Sequence, residues 1–545
     1  MRLSRPTLSV AVVLVVGLGF ALTPFWPDPL RGERFSSWVP LPAEDAFILY
    51  RYSHHLAEGH GIVWNIGEPP VDGSTDFLWM LVLAGWHRLT GSLFPGIYFL
   101  GVLGGLGLFL SARVLLSSLG LPTRPLILFG GLLAGSPLLV HIVNGFGVPL
   151  YALILTIATA QVIWLSLREQ SPGWKRSSAF GLSLLLVGLA RPEGNIYNAL
   201  LLLAVAVVFI RRRDIRSLRT IAAAVALTYG VAGSAYLVFR QLYFGEILPA
   251  PVFVKVGDGG TLRFAVDNLR ATWLHALATS LILAIPALLG RKERWGRILL
   301  GLHGVVLVFY VVYLGFHQSQ NVAMRFQFHT FSLNLLLATC AIALLSQNPA
   351  MRRHTYFAVA LMVTSWAILW FTADNLTPQT ADDRFAAGQI LSRYPDSGYT
   401  LATTEAGLLP FMSRWKTLDL LGLNDPEVGR LGVSVGHWNR YEPAVVLAHV
   451  ATADVRCDSL RDTWSYDYFR VIRETADYSI VAIVKKRLYF NRSTGSFHIY
   501  LLRNDLPAFE EISSALNSIA GEQYISVSPE LAAYLSGALT KIDCG

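Results

Sequence analysis

Two carboxylates stand side by side at Glu44 and Asp45, in the stretch "PLPAEDAFILYRYSHHLAEGHGIVWNIGEPP". Such a pair offers proton transfer or a seat for a hard cation. It opens an amphipathic segment just past the first apolar run, at the level of a membrane face, where ionisable groups are costly unless paired, wet or catalytic. On helical spacing Asp45, Ile48, Tyr52 and His55 share one face. The bland reading is electrostatic, because carboxylates in a first turn complement the helix dipole. His54, His55 and His60 also cluster here, and interfacial titratable side chains describe them better than a metal site does. The cofactor left open is a divalent cation on Glu44 and Asp45, where Mg or Mn suits carboxylates and water.

The elements that position this pair follow from composition. Of 545 residues 53% are hydrophobic and only 15% charged, and the mean hydropathy is +0.47, whereas soluble chains carry about a quarter of their residues charged. The chain therefore reads as a polytopic α-helical membrane protein. Its formal charge of +8 sits in short clusters between apolar runs, which marks membrane anchoring and argues against a nucleic-acid partner.

Apolar runs of spanning length predict about eleven spans, near 8–25, 96–118, 124–141, 148–167, 177–191, 195–210, 219–242, 271–289, 297–316, 327–346 and 355–372. Arg2 and Arg5 precede the first run as in a secretory signal. The run is long, however, and Ala21-Leu22-Thr23-Pro24 is a poor cleavage site, so it is read as a span. The stretch from Asp76 to Leu89 contains His87 and Arg88 and is read as re-entrant or juxtamembrane. Only then do the clusters Arg168–Lys175–Arg176, Arg211-Arg212-Arg213, Arg291-Lys292 and Arg352-Arg353 fall on the inner side. This topology sets the protein in the cytoplasmic membrane with the N-terminus on the cytoplasmic side and the C-terminus outside. The outer segments are Pro27 to Thr75, Phe244 to Arg270 and "HQSQNVAMRF".

Beyond residue 372 the text turns strand-like and turn-rich, as in "GYTLATTEAGLLPF" and "YSIVAIVKK". The expected division is a transmembrane catalytic domain over 1–372, whose outer loop 27–75 carries the acidic motif, and an extracytoplasmic α/β soluble domain over 373–545. Of three cysteines, Cys340 lies in a span while Cys457 and Cys544 lie in the outer domain, where oxidation is permitted. A Cys457–Cys544 disulfide would pin the chain end; the alternative is two unrelated buried thiols. Trp415, Trp438, Tyr441 and Trp464 offer stacking surfaces for a sugar, against the commoner use of such rings in a core. Asp419 and Asn424, in "LDLLGLND", are assigned no chemistry.

Taken in order, "EDAFILYRY", "LAEGHGIVWNIGEPPVDGSTDFLW", "LARPEGN", "YFGEILPAPVFVK", "ATTEAGLLPF" and "LDLLGLND" resemble the GT-C glycosyltransferases that use polyprenyl-phosphate sugars. The blocks are most similar to the terminal arabinofuranosyltransferases of actinobacterial cell walls and their relatives. The resemblance implies a GT-C fold and transfer on the outer face from a polyprenyl-phosphate sugar donor, with arabinofuranose as the candidate sugar and a cell-envelope glycan as acceptor. It also implies that Asp45 acts as general base, that Glu44 orients it or holds a cation, and that a single displacement inverts the anomeric carbon. A leaving phosphate calls for cations, for which Arg191, Lys255 and Arg325 are the outer-side candidates, with snorkelling to head groups as the alternative. Glu193 is a substrate contact alongside Tyr52 and His55, or simply the ion-pair partner of Arg191.

Two departures stand out. Where relatives carry an acid before the fourth span, this chain reads Asn144-Gly145-Phe146-Gly147-Val148, and where they carry Gly-Gly-Asp it reads Ser319-Gln320-Asn321. The missing acids imply a different sugar, a different acceptor or reduced activity. Transfer to protein or lipid A is the alternative within the enzyme class. A transporter would gather its polar residues at the midplane, and a non-catalytic scaffold would explain the missing acids but not the retained pair. "GVLGGLGLFL" is a helix-packing face, not a nucleotide cradle.

Overall fold

The computed structural model describes residues 41–256, 261–316, 318, 321–372, 382–395, 397–452, 471–472, 474–475, 477–486 and 495–520. The expected first span near 8–25, Trp464 and the expected Cys457–Cys544 disulfide lie outside the described residues. The chain forms two compact units. One takes in Thr75–Leu248 and Lys255–Leu376, the other Pro27–Ser74, Pro249–Val254 and the chain from Thr377 on, as far as these are described. The first outer loop, placed with the spanning region on sequence grounds, thus clusters with the C-terminal unit.

The first unit is helical. Among the described residues seven helices are long and apolar enough to cross a membrane: Phe94–Ser118, Val148–Leu167, Gly194–Arg211, Ile215–Phe244, Phe264–Leu289, Arg294–Leu314 and Val322–Leu345. This corrects the expected count of about eleven. The run at 124–141 is broken, since Gly135-Ser136-Pro137 separates Pro125–Ala134 from the short helix Leu138–Val143. The run at 177–191 becomes the 17-residue helix Trp174–Ala190, short of the roughly 20 residues a bilayer requires. Phe77–Thr90 has 14 residues and stops at Gly91 in the left-handed conformation, so it too is short of a span. Val322–Leu345 is the centre of this unit, with 94% of its most apolar window buried against 17% for Ile215–Phe244. In a lipid solvent such all-round apolar helices satisfy their own backbone, and packing decides which becomes the core.

The second unit is α/β. Its five-stranded sheet runs in the order β2-β1-β3-β5-β4, with β1 Thr400–Thr403, β2 Lys416–Asp419, β3 Val445–Thr452, β4 Tyr478–Lys486 and β5 Gly495–Arg503. β1 pairs in parallel with β2 and β3, while β5 runs antiparallel to both β3 and β4, giving a mixed, open sheet. Both faces are covered. Ala402, Val446, Ala448, Ile499 and Leu501 join one core, and Leu401, Val445, Leu447, Tyr500 and Leu502 the other, as the two-residue alternation of a strand requires. Trp415, Trp438 and Tyr441 are buried in these cores, so the rings proposed for sugar stacking serve packing instead.

The helix Ala46–Ala57 is locked into this unit by Arg51. Its guanidinium is buried and donates to Trp64 O (2.8 Å), Asn65 Oδ1 (3.1 Å), Pro410 O and Trp415 O (2.9 Å), with its plane 4.6 Å from the Trp64 ring. Phe47 packs on Phe411 at 5.3 Å. Replacing Arg51 with Met removes the charge and four hydrogen bonds to buried acceptors, of which Pro410 O, Asn65 Oδ1 and Trp415 O keep another donor. The expected cost is roughly 3 kcal/mol, seen as a drop of about 5–10 °C in the melting temperature of the detergent-purified protein; an unshifted melt would show the network to be dispensable.

Candidate active site

Asp45 is the N-cap residue of Ala46–Ala57, yet its side chain makes no capping hydrogen bond, so the simplest structural use for a carboxylate there is not taken up. It is partly exposed. Glu44 is built differently. Its side chain is buried, and Oε1 accepts from Gly407 N (2.6 Å) and Leu408 N (3.1 Å), the loop that follows β1. That approach needs a glycine, because a Cβ at 407 would lie 2.0 Å from Glu44 O. Burial, and next the Glu405 carboxylate, push the Glu44 carboxyl up to about 8 against the pull of Arg384 and the Gly407 amide. The adjacent acids thus occupy unlike environments.

Tyr52 and His55 are turned into the same unit. The Tyr52 hydroxyl donates to Asn424 Oδ1 (3.1 Å) and accepts from Gly73 N (3.1 Å). Asn424 in turn donates from its side chain and backbone to Asp419 Oδ2 at 2.8 and 2.9 Å, and burial pushes the Asp419 carboxyl up to about 6. His55 Nδ1 lies 2.9 Å from Val63 O. Burial, then Arg51, pushes its imidazole down to about 3, so it is neutral at physiological pH. The His54 and His60 rings stand 6.1 and 6.3 Å from His55.

Arg191 and Arg325 lie in the helical unit. Arg191 follows the helix Trp174–Ala190, and its Nε is 3.2 Å from Asp76 Oδ1 and 2.7 Å from Glu193 Oε1; Glu193 also accepts from the Tyr313 hydroxyl. Glu193 is therefore the ion-pair partner that the sequence allowed. The two guanidinium groups share one aromatic neighbour, since the Phe326 ring centroid is 5.5 Å from Arg191 and 4.9 Å from Arg325. Arg325 also stands 4.1 Å from the Phe146 ring. Ala323 and Met324, just before it, have positive φ of 53° and 58°, a strained turn of the kind that functional segments store. Asn321 ties this turn together, accepting from Phe326 N (3.1 Å) and donating to Gln327 Oε1 (2.8 Å). Lys255 falls on the helix Ala250–Val256, and its side chain lies outside the described residues.

Sequence reasoning missed the rest of this group except Asn144, which it marked only as a departure from the resembling enzymes. His329 is fully buried, with its ring 5.3 Å from both Tyr151 and Tyr313 and neither nitrogen hydrogen-bonded. His141 and Asn144 are equally buried with unpartnered side-chain atoms. Buried polar atoms left without partners are expensive, so this side of the unit is suited to water or a polar ligand. The signal was in the sequence, because His329 lies four residues beyond Arg325, but its setting reads as a spanning helix.

The chain aligns with the crystal structure of ArnT from Cupriavidus metallidurans in the apo state with a TM-score of 0.54 at 12% identity, covering 95% of this chain and 100% of that one. The same protein bound to undecaprenyl phosphate gives 0.54 at 12% identity, over 90% and 97%. The arabinofuranosyltransferase AftD from Mycobacteria gives 0.46 at 14% identity over 92% of this chain and 42% of that one, too weak a likeness to bear on the sugar. Residues 374–500 match a domain of unknown function, DUF8728. No curated protein matches. The class that these likenesses define is one of fold: a polytopic α-helical membrane protein with a C-terminal α/β unit, similar in fold to ArnT.

Glu44 predicts a pH dependence whose sign is fixed. A carboxyl with a folded-state pKa near 8, above its ordinary value of 4.5, contributes stability that is full below the ordinary value and lost as pH rises through about 8. Wild-type melting temperature should fall between about pH 5 and pH 9 more steeply than that of Glu44→Gln. Parallel curves for the two proteins would remove Glu44 as the cause.

Proposed function

We propose that the protein is an inverting membrane glycosyltransferase that moves a sugar from a polyprenyl-phosphate donor to a cell-envelope glycan on the outer face of the cytoplasmic membrane. The observation that carries this reading is the buried group of Arg191, Arg325, Tyr151, Tyr313 and His329 in the helical unit, in a chain whose fold is similar to a protein crystallised with undecaprenyl phosphate. Guanidinium groups held by aromatic rings in a low-dielectric site suit a phosphate whose charge grows as it leaves. Arg325 is assigned that role first. Arg191 is neutralised by Asp76 and Glu193, and it contributes through the field of the whole cluster. Lys255 is assigned as an additional point charge.

Asp45 is the assigned base. It takes the proton of an acceptor hydroxyl as that oxygen bonds to the anomeric carbon, while the bond from that carbon to the phosphate oxygen breaks and polyprenyl phosphate leaves. One displacement inverts the centre. Glu44, buried and engaged by two backbone amides, acts as a positioning residue for Asp45 rather than as a second base. Tyr52 and His55 have the same character, because their polar atoms are engaged inside the second unit. Arabinofuranose is the proposed sugar, on the resemblance of the sequence blocks.

Membranes carrying the protein, supplied with labelled polyprenyl-phosphate sugars that include arabinofuranose, should transfer one sugar, and Asp45→Asn should lower turnover by roughly 10²–10⁴-fold in a folded protein. Turnover unchanged by Asp45→Asn sinks the assigned base, and no transfer from any donor by wild type sinks the enzyme reading. Arg325→Gln should lower kcat by about 10²–10³-fold with a smaller change in KM, as expected for a group that stabilises developing charge. A change confined to KM would make Arg325 a ground-state contact only.

A further inference from the structure

The second unit holds a cluster that the transfer reaction does not use. Three residues distant in sequence meet at the carboxyl end of β1 and on neighbouring strands. Glu405 lies just past β1, His449 on β3 and His498 on β5, and the sheet register sets His449 and His498 directly opposite each other as Cα partners. Their rings stand 5.1 Å apart at 88°. One ligand atom from each of the three residues falls within 4.8 Å of the others.

His498 is the telling member. It is fully buried; Nδ1 lies 2.6 Å from Asp383 Oδ2, and Nε2 has no hydrogen-bond partner. The Tyr500 hydroxyl also donates to that Asp383 oxygen at 2.7 Å. A carboxylate on one ring nitrogen fixes the tautomer with the proton there, which leaves the lone pair on the other. That is the arrangement in which an imidazole ligates a metal, with the carboxylate raising its basicity. Glu405 is divided in a similar way. Oε2 pairs with Arg384, whereas Oε1 lies 2.6 Å from His449 Nδ1. Asp382, Asp383 and Glu405 bring three carboxylates to the single guanidinium of Arg384, which pairs with Asp382 and Glu405. The local charge therefore favours a further cation.

We infer that Glu405, His449 and His498 form a binding site for a zinc-class divalent transition metal, with Asp383 orienting His498. Two imidazoles and one monodentate carboxylate suit Zn²⁺ and disfavour Mg²⁺ or Ca²⁺, which take oxygen ligands. Ligands on a tetrahedral ion at about 2.0–2.1 Å stand roughly 3.3 Å apart. The Glu405–His449 contact of 2.6 Å therefore opens by about 0.7 Å and gives up its proton to admit the ion, and solvent supplies the fourth ligand. The metal would staple β1 to β3 and β5. It would also fix the loop whose Gly407 and Leu408 amides hold Glu44, so its first effect is on the stability of the acidic pair's support.

The test uses the full chain in detergent, stripped with a chelator and dialysed against Zn²⁺ or Co²⁺. About one metal per chain should remain and raise the melting temperature, and bound Co²⁺ should show the intense visible bands of a tetrahedral site. His498→Gln and His449→Gln should each lose the metal, and Asp383→Asn should weaken binding by about 10–100-fold. A wild-type protein that retains no stoichiometric metal overturns the site, as does metal retained in full by either folded histidine variant. Where the histidine variants fail to fold, the wild-type Co²⁺ spectrum decides, since weak octahedral bands would overturn the two-imidazole assignment. None of these readouts depends on sugar transfer, so the site stands or falls apart from the enzyme reading.

Discussion

The burial of one guanidinium organises the second unit. A charge removed from water is tolerated only where acceptors surround it, and Arg51 finds them on the segments at 64–65 and 410–415. Each acceptor must then be held in place, which is why the loop after Ala57 folds back and why the segment before β2 has one course. Trp64 and Asn65 extend the network to Thr417, the indole and the amide both donating to its carbonyl at 3.0 Å. The helix Ala46–Ala57 is in this way fastened to an α/β sheet. The pair Glu44-Asp45 inherits its placement from that fastening.

The helical unit meets the same rule with different means. Its medium supplies no hydrogen bonds, so charges must be matched within the protein or spread over aromatic faces. Arg191 takes the first course with Asp76 and Glu193, and Arg325 stands against the rings of Phe146 and Phe326. The turn that delivers Arg325 is strained at Ala323 and Met324, and the side chain of Asn321 holds it closed. On the sequence resemblance an acid is expected at the place of Asn321. In this chain its amide donates as well as accepts, which an ionised carboxylate cannot do, so the substitution has a structural use of its own.

Much of this was legible in the sequence, and the losses have physical causes. Hydropathy located the helices well but not their continuity, because a Gly-Ser-Pro interruption and a 17-residue run look spanning until backbone breaks and lengths are seen. The strands of the second unit were visible in "TLAT" and "YSIVAIVKK", but the pairing of β3 with β5 was not. His449 and His498 therefore gave no signal, since ligands brought together by register leave no spacing to read. Trp415 and Trp438 misled in the opposite direction, offering a sugar platform on composition while the sheet uses them as core. Arg191 and Glu193 were readable as a pair because they lie two residues apart; Asp76, their third member, became visible only in three dimensions.

The two adjacent acids show why composition alone could not assign roles. Chemistry by paired carboxylates depends on environments that set the two groups apart, and here the backbone does so within a single peptide unit. Glu44 points into a buried pocket of amides, where burial and Glu405 favour its protonated form. Asp45, at the N-cap but not capping, is left partly exposed on the helix that Arg51 anchors. A loop that had to satisfy only a helix dipole would place either acid at the cap and let its oxygen bond the first amides. That Glu44 is drawn to a different loop, at a glycine that no larger residue could replace, means the pair is held from outside the helix. Its position thus answers to the β1 loop and everything that steadies that loop, Arg384 and Glu405 first among them.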